Sequence, residues 1–200
     1  LAEMEHVEIG GHNYWAFDTP VHKGWRAITG SWNGPRPFQR WEIRKTIAAF
    51  EELGIEITAW RDHAYRHDKH TKELLADEGI THFSDPVEPE GEVREEDEIV
   101  VPINTPPDHE HVYHAFRTEK FVAEIDFEGP FGNESQNAED WLMWVRDAIA
   151  DAVGNDQPAT VLAHPSCMDI ADGLATFEEL CAHVAETYEP RMVSEVDADA

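Results

Sequence analysis

Lysine and cysteine are both scarce in this chain of 200 residues, which carries five lysines and two cysteines. Lys and Arg together number 15 against 42 Asp and Glu, so the formal net charge is −27. A chain so poor in basic residues lacks the positive face of a nucleic-acid binder that neutralises phosphates. It also lacks the basic cluster that binds anionic membranes. We therefore expect neither a nucleic acid nor a membrane among its partners.

Cysteine spacing and apolar runs exclude further classes. Cys167 and Cys181 do not make a disulfide framework, and the absence of Cys-x-x-Cys argues against a thiolate zinc site. The longest apolar stretches reach about six residues, far short of a membrane helix. No secretory signal is visible, which predicts a cytoplasmic location. Because the chain begins with Leu, we expect residues upstream of position 1 to be missing.

The chain is rich in acidic and aromatic residues. Its hydrophobic fraction is 41%, with seven Trp and nine Phe, which is enough to bury a core. An acidic excess of this size repels itself unless salt screens it. The composition resembles that of halophilic archaeal proteins and predicts adaptation to high salt. The alternative is an acidic protein from a low-salt environment.

Hydrophobic periodicity predicts alternating helices and short strands, and thus an α/β fold with a parallel sheet or barrel. We expect one domain over residues 1–190, an acidic C-terminal tail over residues 191–200, and a long loop over the first 37 residues. The predicted helices are 38–53, 69–78, 138–153 and 177–186, and the predicted strands are 55–60, 80–83, 99–103 and 159–163.

Polar residues follow several of these strands directly. Residues 60–63 (WRDH) follow the first, Asp85 the second and His164 the last. Active sites of parallel α/β barrels lie at the carboxyl ends of strands. The layout is therefore typical of an enzyme. The motifs of serine hydrolases, nucleotide-binding loops and zincin proteases are absent.

Histidine is the residue type most able to carry chemistry here, with twelve copies. His12 follows a Gly-Gly pair that lets the backbone approach a bound group closely. His164 precedes a proline at a strand end, where imidazole can act as a general acid or bind metal. Each has a structural alternative. The spacing of His63, His67 and His70 fits either one ligand face or a solvated helix face, and the HEHVYH run at 109–114 fits either a metal site or a polar helix start.

Arg61 and the tryptophans are further candidates. A guanidinium at a strand end can pair with an active-site carboxylate and hold it ionised, or form a surface ion pair. Trp15, Trp25 and Trp32 lie in the glycine-rich early segment. Aromatic rings on irregular backbone suit stacking on sugars, and equally suit packing within a lid.

Three segments resemble the polysaccharide deacetylase family of the carbohydrate esterase family four type. They are HVEIGGHNYW at 6–15, WRDHAYRHDKHT at 60–71 with its continuation to Asp85, and VLAHP at 161–165. They are similar to the family's His-Glu-Ile-Gly-x-His-Thr-Tyr, Phe-Arg-Pro-Pro-Tyr-Gly and Leu-Leu-His segments, in the same order.

The resemblance implies a distorted (β/α) barrel, here without its first strands, and metal-assisted hydrolysis of carbon–nitrogen, non-peptide bonds in N- or O-acetylated carbohydrate. A divalent cation, zinc in such sites, would activate water. His164 would be the general acid, and Arg61 would hold the base ionised. The ligand set would include His12, and the substrate would contact Trp15, Trp60 and Tyr65.

The sequence departs from the family at several of its motifs. The Asp-Asp pair that supplies a base and a metal ligand is absent, and the second metal histidine falls on Ala16. His63, Asp18 or His22 could replace the lost ligand. Two other functions therefore stay open: a catalytically inactive carbohydrate-binding descendant of the fold, and a histidine-rich metal-binding protein.

Overall fold

A computed structural model describes residue 4, residues 6–125 and residues 128–198, and the chain divides into two compact units. The single domain predicted over residues 1–190 stays a prediction, because compactness does not decide whether the units fold independently. Unit 1 comprises Leu1–Pro86, Val93–Val101 and Arg191–Asp199, and unit 2 comprises Val87–Glu92, Pro102–Pro190 and Ala200.

Unit 1 contains a small mixed sheet and three α-helices among its described residues. The strand order is β1-β2-β4-β3, with β1–β2 and β2–β4 parallel and β3–β4 antiparallel. The elements are α1 (Pro20–Thr29), α2 (Arg36–Glu51), β1 (Ala59–Trp60), a 3-10 turn (His63–Tyr65), α3 (Thr71–Asp77), β2 (His82–Phe83), β3 (Arg94–Glu95), β4 (Ile99–Val100) and a second 3-10 turn (Val193–Glu195).

The sheet confirms the α/β class, and the barrel stays a prediction. Ala59 pairs with His82, and Phe83 pairs with Val100, so the carboxyl ends of β1, β2 and β4 share one edge. The sheet described by the structure is open, because its four strands do not close into a ring. The expected distorted barrel is therefore not seen in the described part of the chain.

The core of unit 1 lies where α2 and α3 pack on β1 and β2. Trp60 and Phe83 come from the strands, Leu74 and Leu75 from α3, and Ile43 from α2; all five are buried. The apolar spacing of α2 and α3 correctly predicted both helices, and Gly54 follows α2 at φ 73°, a value that favours glycine. This packing fixes the edge at which the polar residues emerge.

Helix α1 corrects the prediction of a loop over the first 37 residues. Its local signals are clear: the Thr19 hydroxyl accepts the backbone N–H of His22, Pro20 occupies the first turn, and Gly30 ends the helix at φ 79°. Only His22 of this helix is buried. Val21, Trp25 and Ile28 repeat at helical spacing, so the helical pattern was present in the sequence. It was missed because the glycines and turn-forming residues of this segment favoured a loop.

The described end of the chain contacts the sheet of unit 1. His82 in β2 donates from Nε2 to the carbonyl oxygen of Val196 at 3.0 Å, and Val196 is buried. The backbone N–H of Ser194 donates to the carboxylate of Glu8 at 3.1 Å. Residues 193–196 therefore add to the packing of unit 1.

Unit 2 is largely helical. Trp141, Val145 and Ile149 project from α6 and pack with Met168 and Leu180 from the two following helices. The apolar stripe of α6 correctly predicted this helix. The helices are α4 (Asp108–His111), α5 (Glu119–Glu124), α6 (Ala138–Gly154), α7 (Pro165–Asp172) and α8 (Ala175–Thr187).

The strand predicted over residues 159–163 is not formed. Side chains, rather than a neighbouring strand, bind this backbone: Asn104 accepts the N–H of Thr160 at 2.8 Å, and the hydroxyl of Thr105 donates to the carbonyl of Thr160 at 2.8 Å. Pro165, expected to end a strand, instead begins α7 with His164 at its N-cap. An apolar run of five residues cannot distinguish these outcomes.

In the part of the chain that the structure describes, no helix has both the length and the apolar character needed to cross a bilayer. The longest helix, α6, has 17 residues and carries Glu139, Asp140 and Arg146.

Candidate active site

The polar edge of unit 1 is built by a glycine turn laid against β1. Gly11 donates its N–H to the carbonyl of Ala59 at 2.9 Å and accepts the N–H of Arg61 at 3.0 Å. A Cβ on Gly11 would lie 2.0 Å from the ring of Trp60, so only glycine fits this close approach. The turn therefore delivers His12 next to the residues that follow β1.

His12 and His63 bring their ring nitrogens together. Nδ1 of His12 donates to the carbonyl of Arg61 at 2.8 Å, which fixes the tautomer and leaves Nε2 as an acceptor. That Nε2 accepts a hydrogen bond from Nδ1 of His63 at 3.3 Å. Two nitrogen ligands of a tetrahedral zinc ion are also about 3.3 Å apart, given the usual zinc–nitrogen length. The pair thus has the spacing of two metal ligands.

Asn13 ties the two histidine segments to a buried carboxylate. Its side-chain oxygen accepts the N–H of His63 at 2.7 Å, and its Nδ2 donates to Oδ1 of Asp62 at 2.9 Å.

Backbone strain concentrates in the same segments. Positive φ angles of 55–59° occur at Asn13, Phe17, Ala64 and Tyr65. Such conformations cost energy and cluster at functional sites.

Beneath this edge lie two carboxylates with almost no access to water. Asp85, which follows β2, accepts the backbone N–H of Asp62 at 3.0 Å and the Nδ1 proton of His67 at 2.5 Å. Asp62 accepts the indole N–H of Trp60 at 3.1 Å, while its Oδ2 is buried without a hydrogen-bond partner among the described residues. One donor atom each from Asp62, His67 and Asp85 lie within 4.8 Å of one another.

Burial and neighbouring charges shift the pKa values of Asp62 and His67. It raises the pKa of Asp62 well above the usual aspartate range, and the negative charge of Asp85 raises it further. The hydrogen bond to Asp85 raises the pKa of His67, although burial opposes the shift. The arrangement can hold a proton close to neutral pH or take up a cation that neutralises the two carboxylates.

Arg61 lies at the site, and its side-chain hydrogen bonds among the described residues go to Ser84. Its Nε donates to the carbonyl of Ser84 at 2.5 Å and its Nη2 to the hydroxyl of Ser84 at 2.7 Å. Burial lowers the pKa of the guanidinium, and Asp85 is among the charges that oppose this shift. Arg61 therefore links the ends of β1 and β2.

The other two candidate ligands predicted for unit 1, Asp18 and His22, lie just before α1 and within it. Asp18 is exposed, and its charge acts on the buried His22. Among the described residues it does not join His12 and His63 in a group of three close donors.

The three side chains predicted to contact substrate differ in accessibility. Trp15 is 44% exposed and meets Tyr14 edge to face, whereas Tyr65 is half-buried. Trp60 is 1% exposed and belongs to the core, so its ring offers no face to a sugar.

In unit 2, His164 is held by a buried aspartate. Oδ1 of Asp108 accepts the Nδ1 proton of His164 at 2.7 Å, and Oδ2 accepts its backbone N–H at 2.7 Å. Asp108 is fully buried, while the side chain of His164 is 44% exposed. A carboxylate behind an accessible imidazole is an arrangement suited to proton transfer. His164 was predicted from the sequence and Asp108 was missed.

The sequence placed Asp62 and Asp85 after strands without giving them a role, and Asp108 was missed. Asp62 and Asp85 follow strands directly, and Asp108 follows a Pro-Pro pair at the start of α4. In a chain with 42 acidic residues, this placement does not distinguish them from surface carboxylates. Their burial depends on strand pairing and helix packing, which no local pattern encodes.

Comparison with known proteins adds one informative similarity. No protein-family model matches the chain. No curated protein is significantly similar in sequence. Among solved structures, the chain resembles one described as a "putative polysaccharide deacetylase" from Mycobacterium smegmatis, with a TM-score of 0.56 and 18% identity, covering 95% of this chain and 67% of that one. At this identity the similarity shows the fold, and the fold is that of a protein described as a deacetylase.

Proposed function

We propose that this chain is a metal-dependent hydrolase that removes N- or O-linked acetyl groups from carbohydrate. The observation that carries the proposal is the separation of 3.3 Å between Nε2 of His12 and Nδ1 of His63, with His12 oriented by the carbonyl of Arg61. The fold similarity to a structure described as a polysaccharide deacetylase supports the reaction class. In this proposal the open sheet of unit 1 belongs to a distorted barrel.

His12 and His63 are the proposed ligands of a divalent cation, with zinc as the proposed metal. Imidazole nitrogens suit zinc, and the bond from His12 to Arg61 gives the orienting contact that metal-binding histidines usually have. Asp18 stays a proposed third ligand, which requires the loop that carries it to move. When bound, such a cation polarises the acyl oxygen and lowers the pKa of water.

The protein's own groups are proposed to handle protons and orientation. His164 is the proposed general acid, since Asp108 orients its partly exposed ring through Nδ1 and does not contact Nε2. The buried carboxylates Asp62 and Asp85 supply negative charge behind His63, and Arg61 holds the ends of β1 and β2 together through Ser84.

Trp15 is the proposed stacking surface for sugar. It is 44% exposed, and its edge contact with Tyr14 leaves the aromatic pair at the surface. Aromatic rings combine large contact area with little loss of side-chain freedom.

Acetate release from acetylated oligosaccharides at molar salt, together with metal analysis, tests this function. Native protein should release acetate with zinc bound, a chelator should stop the reaction, and His12→Ala should lose both metal and activity. His6→Ala, which removes an exposed histidine from the same segment, is the matched control and should retain both. Bound metal or bound sugar without any acetate release would contradict the proposal and favour a non-catalytic binding protein.

A further inference from the structure

A second cluster of metal-binding side chains lies in unit 2, among residues to which the proposed function gives no role. His109 lies in α4, His114 follows that helix, and Cys167 lies in the first turn of α7. One donor atom each from these three residues lie within 4.8 Å of one another. Helices α4 and α7 pack together, so the cluster joins two segments far apart in sequence.

Its closest measured pair has the spacing of two ligands on one ion. Sγ of Cys167 and Nδ1 of His109 are 3.6 Å apart. A thiolate and an imidazole on a tetrahedral zinc ion are also about 3.6 Å apart, from the usual zinc–sulfur and zinc–nitrogen lengths. The rings of His109 and His114 stack at 5.7 Å with 27° between their planes. The three side chains could therefore bind one ion without a large movement of the backbone.

His114 is buried and has a ring nitrogen that could bind a cation. It is 7% exposed, and its Nε2 is buried without a hydrogen-bond partner among the described residues. Its Nδ1 accepts the N–H of Phe116 across a long 3.3 Å. Metal binding through either nitrogen gives up that bond, because Nδ1 then either binds the metal or carries the ring proton. Burial lowers the pKa of this ring, and an interaction with the backbone of His109 opposes that shift. No hydrogen bond of good geometry reaches Nε2 among the described residues, however, and a cation beside the thiol would use that nitrogen.

We propose that His109, His114 and Cys167 form a second metal site, for a zinc-class cation that fastens α4 to α7. Two imidazoles and one thiolate are the mixed nitrogen and sulfur donors that such a cation selects, and three protein ligands leave a fourth position for water. On binding, Sγ loses its proton to solvent as the sulfur–metal bond forms. The site adjoins the proposed general acid, since Cys167 also groups with Asp108 and His164, but its test measures sulfur–metal bonding rather than acetate release.

Cobalt(II) titration of the full chain tests the site through the sulfur. Native protein should develop thiolate-to-cobalt charge-transfer absorption in the near ultraviolet, with the visible bands of tetrahedral Co²⁺, and added zinc should remove both. Cys167→Ser should lose the charge-transfer absorption. Cys181→Ser, which alters the other free cysteine at an exposed position, is the matched control and should keep it.

Two further variants separate this site from the rest of the molecule. His109→Ala changes a largely exposed side chain, so it should fold and bind Co²⁺ more weakly with an altered spectrum. His12→Ala should leave the sulfur-linked absorption unchanged. Absence of charge-transfer absorption in the native protein, or its persistence in Cys167→Ser, would overturn the proposal, whatever acetate release shows.

Discussion

Asp108 holds His164 by two hydrogen bonds, one to the Nδ1 proton of its ring and one to its backbone N–H, each 2.7 Å long. The bond to the ring fixes its orientation, and the bond to the backbone N–H holds the residue at the N-cap of α7. The two residues are 56 positions apart in sequence. The carboxylate is fully buried and the imidazole is partly exposed. Asp108 thus lies behind the ring at Nδ1, and Nε2 is the ring nitrogen that this carboxylate does not contact.

Replacing His164 with Ala should lower turnover by roughly 10²–10⁴-fold, the usual range for a lost general acid. Metal content and folding should stay as in the native protein. Asp108→Asn should lower turnover, because the carboxylate that accepts the Nδ1 proton and orients the ring is lost. The measurement is the rate of acetate release. Loss of metal in His164→Ala would reassign it as a ligand, and full activity would leave it a structural residue.

Gly11→Ala should lower the free energy of unfolding by roughly 1–3 kcal/mol, the usual cost of forcing extra volume into a packed position. The added Cβ would lie 2.0 Å from the Trp60 ring, so the turn that carries His12 must move. Zinc affinity should fall with it. Urea unfolding and a zinc titration at fixed salt measure both effects.

Gly24→Ala is the control for that prediction. Nothing lies within 4 Å of a Cβ at Gly24, and the residue is inside α1, so alanine should be neutral or mildly stabilising. A Gly11→Ala protein as stable as the native one would show that the turn is not tightly held against β1.

The sequence predicted elements whose apolar spacing is strong and local. Helix α6 was placed within about a residue because its buried side chains repeat at helical intervals. Helix α1 was missed although Thr19 and Gly30 mark its ends, because the glycine-rich composition of its segment favoured a loop.

The candidate site also combines residues that local motifs indicate with residues whose contacts depend on the fold. His12, Arg61 and His164 stay predictions from motifs, and the sequence placed Asp62 and Asp85 after strands without indicating that they are buried in contact. Those carboxylates meet only because β1 and β2 pair in parallel register, which is information held between distant segments.

A pH dependence of stability should arise from Glu42, a buried side chain of α2 that contacts Nε2 of His22 at 3.0 Å. Burial, helped by the charge of Asp62, raises the pKa of Glu42 to about 8 from 4.5. The folded protein thus keeps a proton that the unfolded chain releases. The stabilising contribution is full below pH 4.5 and is lost as the pH rises through about 8.

Glu42→Gln should remove this dependence. Between about pH 5 and about pH 9, the native protein should lose on the order of 2 kcal/mol more stability than the variant. Glu51→Gln, at an exposed position near the end of the same helix, is the control and should follow the native curve. Parallel pH curves for native protein and Glu42→Gln would contradict the assignment.

Salt should stabilise the fold. With a net charge of −27, acidic side chains repel one another, and the screening length falls to about 3 Å at 1 M salt. The melting temperature should rise by many degrees between low and molar KCl. NaCl should act alike, because screening depends on ionic strength. An unchanged melting temperature would defeat the prediction of halophilic adaptation.

The most direct test of the metal-dependent account is anomalous scattering from a zinc-soaked crystal, recorded on both sides of the zinc absorption edge. The account predicts a peak bonded to Nε2 of His12 and Nδ1 of His63, at about 2.0–2.1 Å from each nitrogen. Occupancy should vanish in His12→Ala crystals and persist in His6→Ala crystals. A fully soaked crystal with no zinc between these two nitrogens would contradict the account.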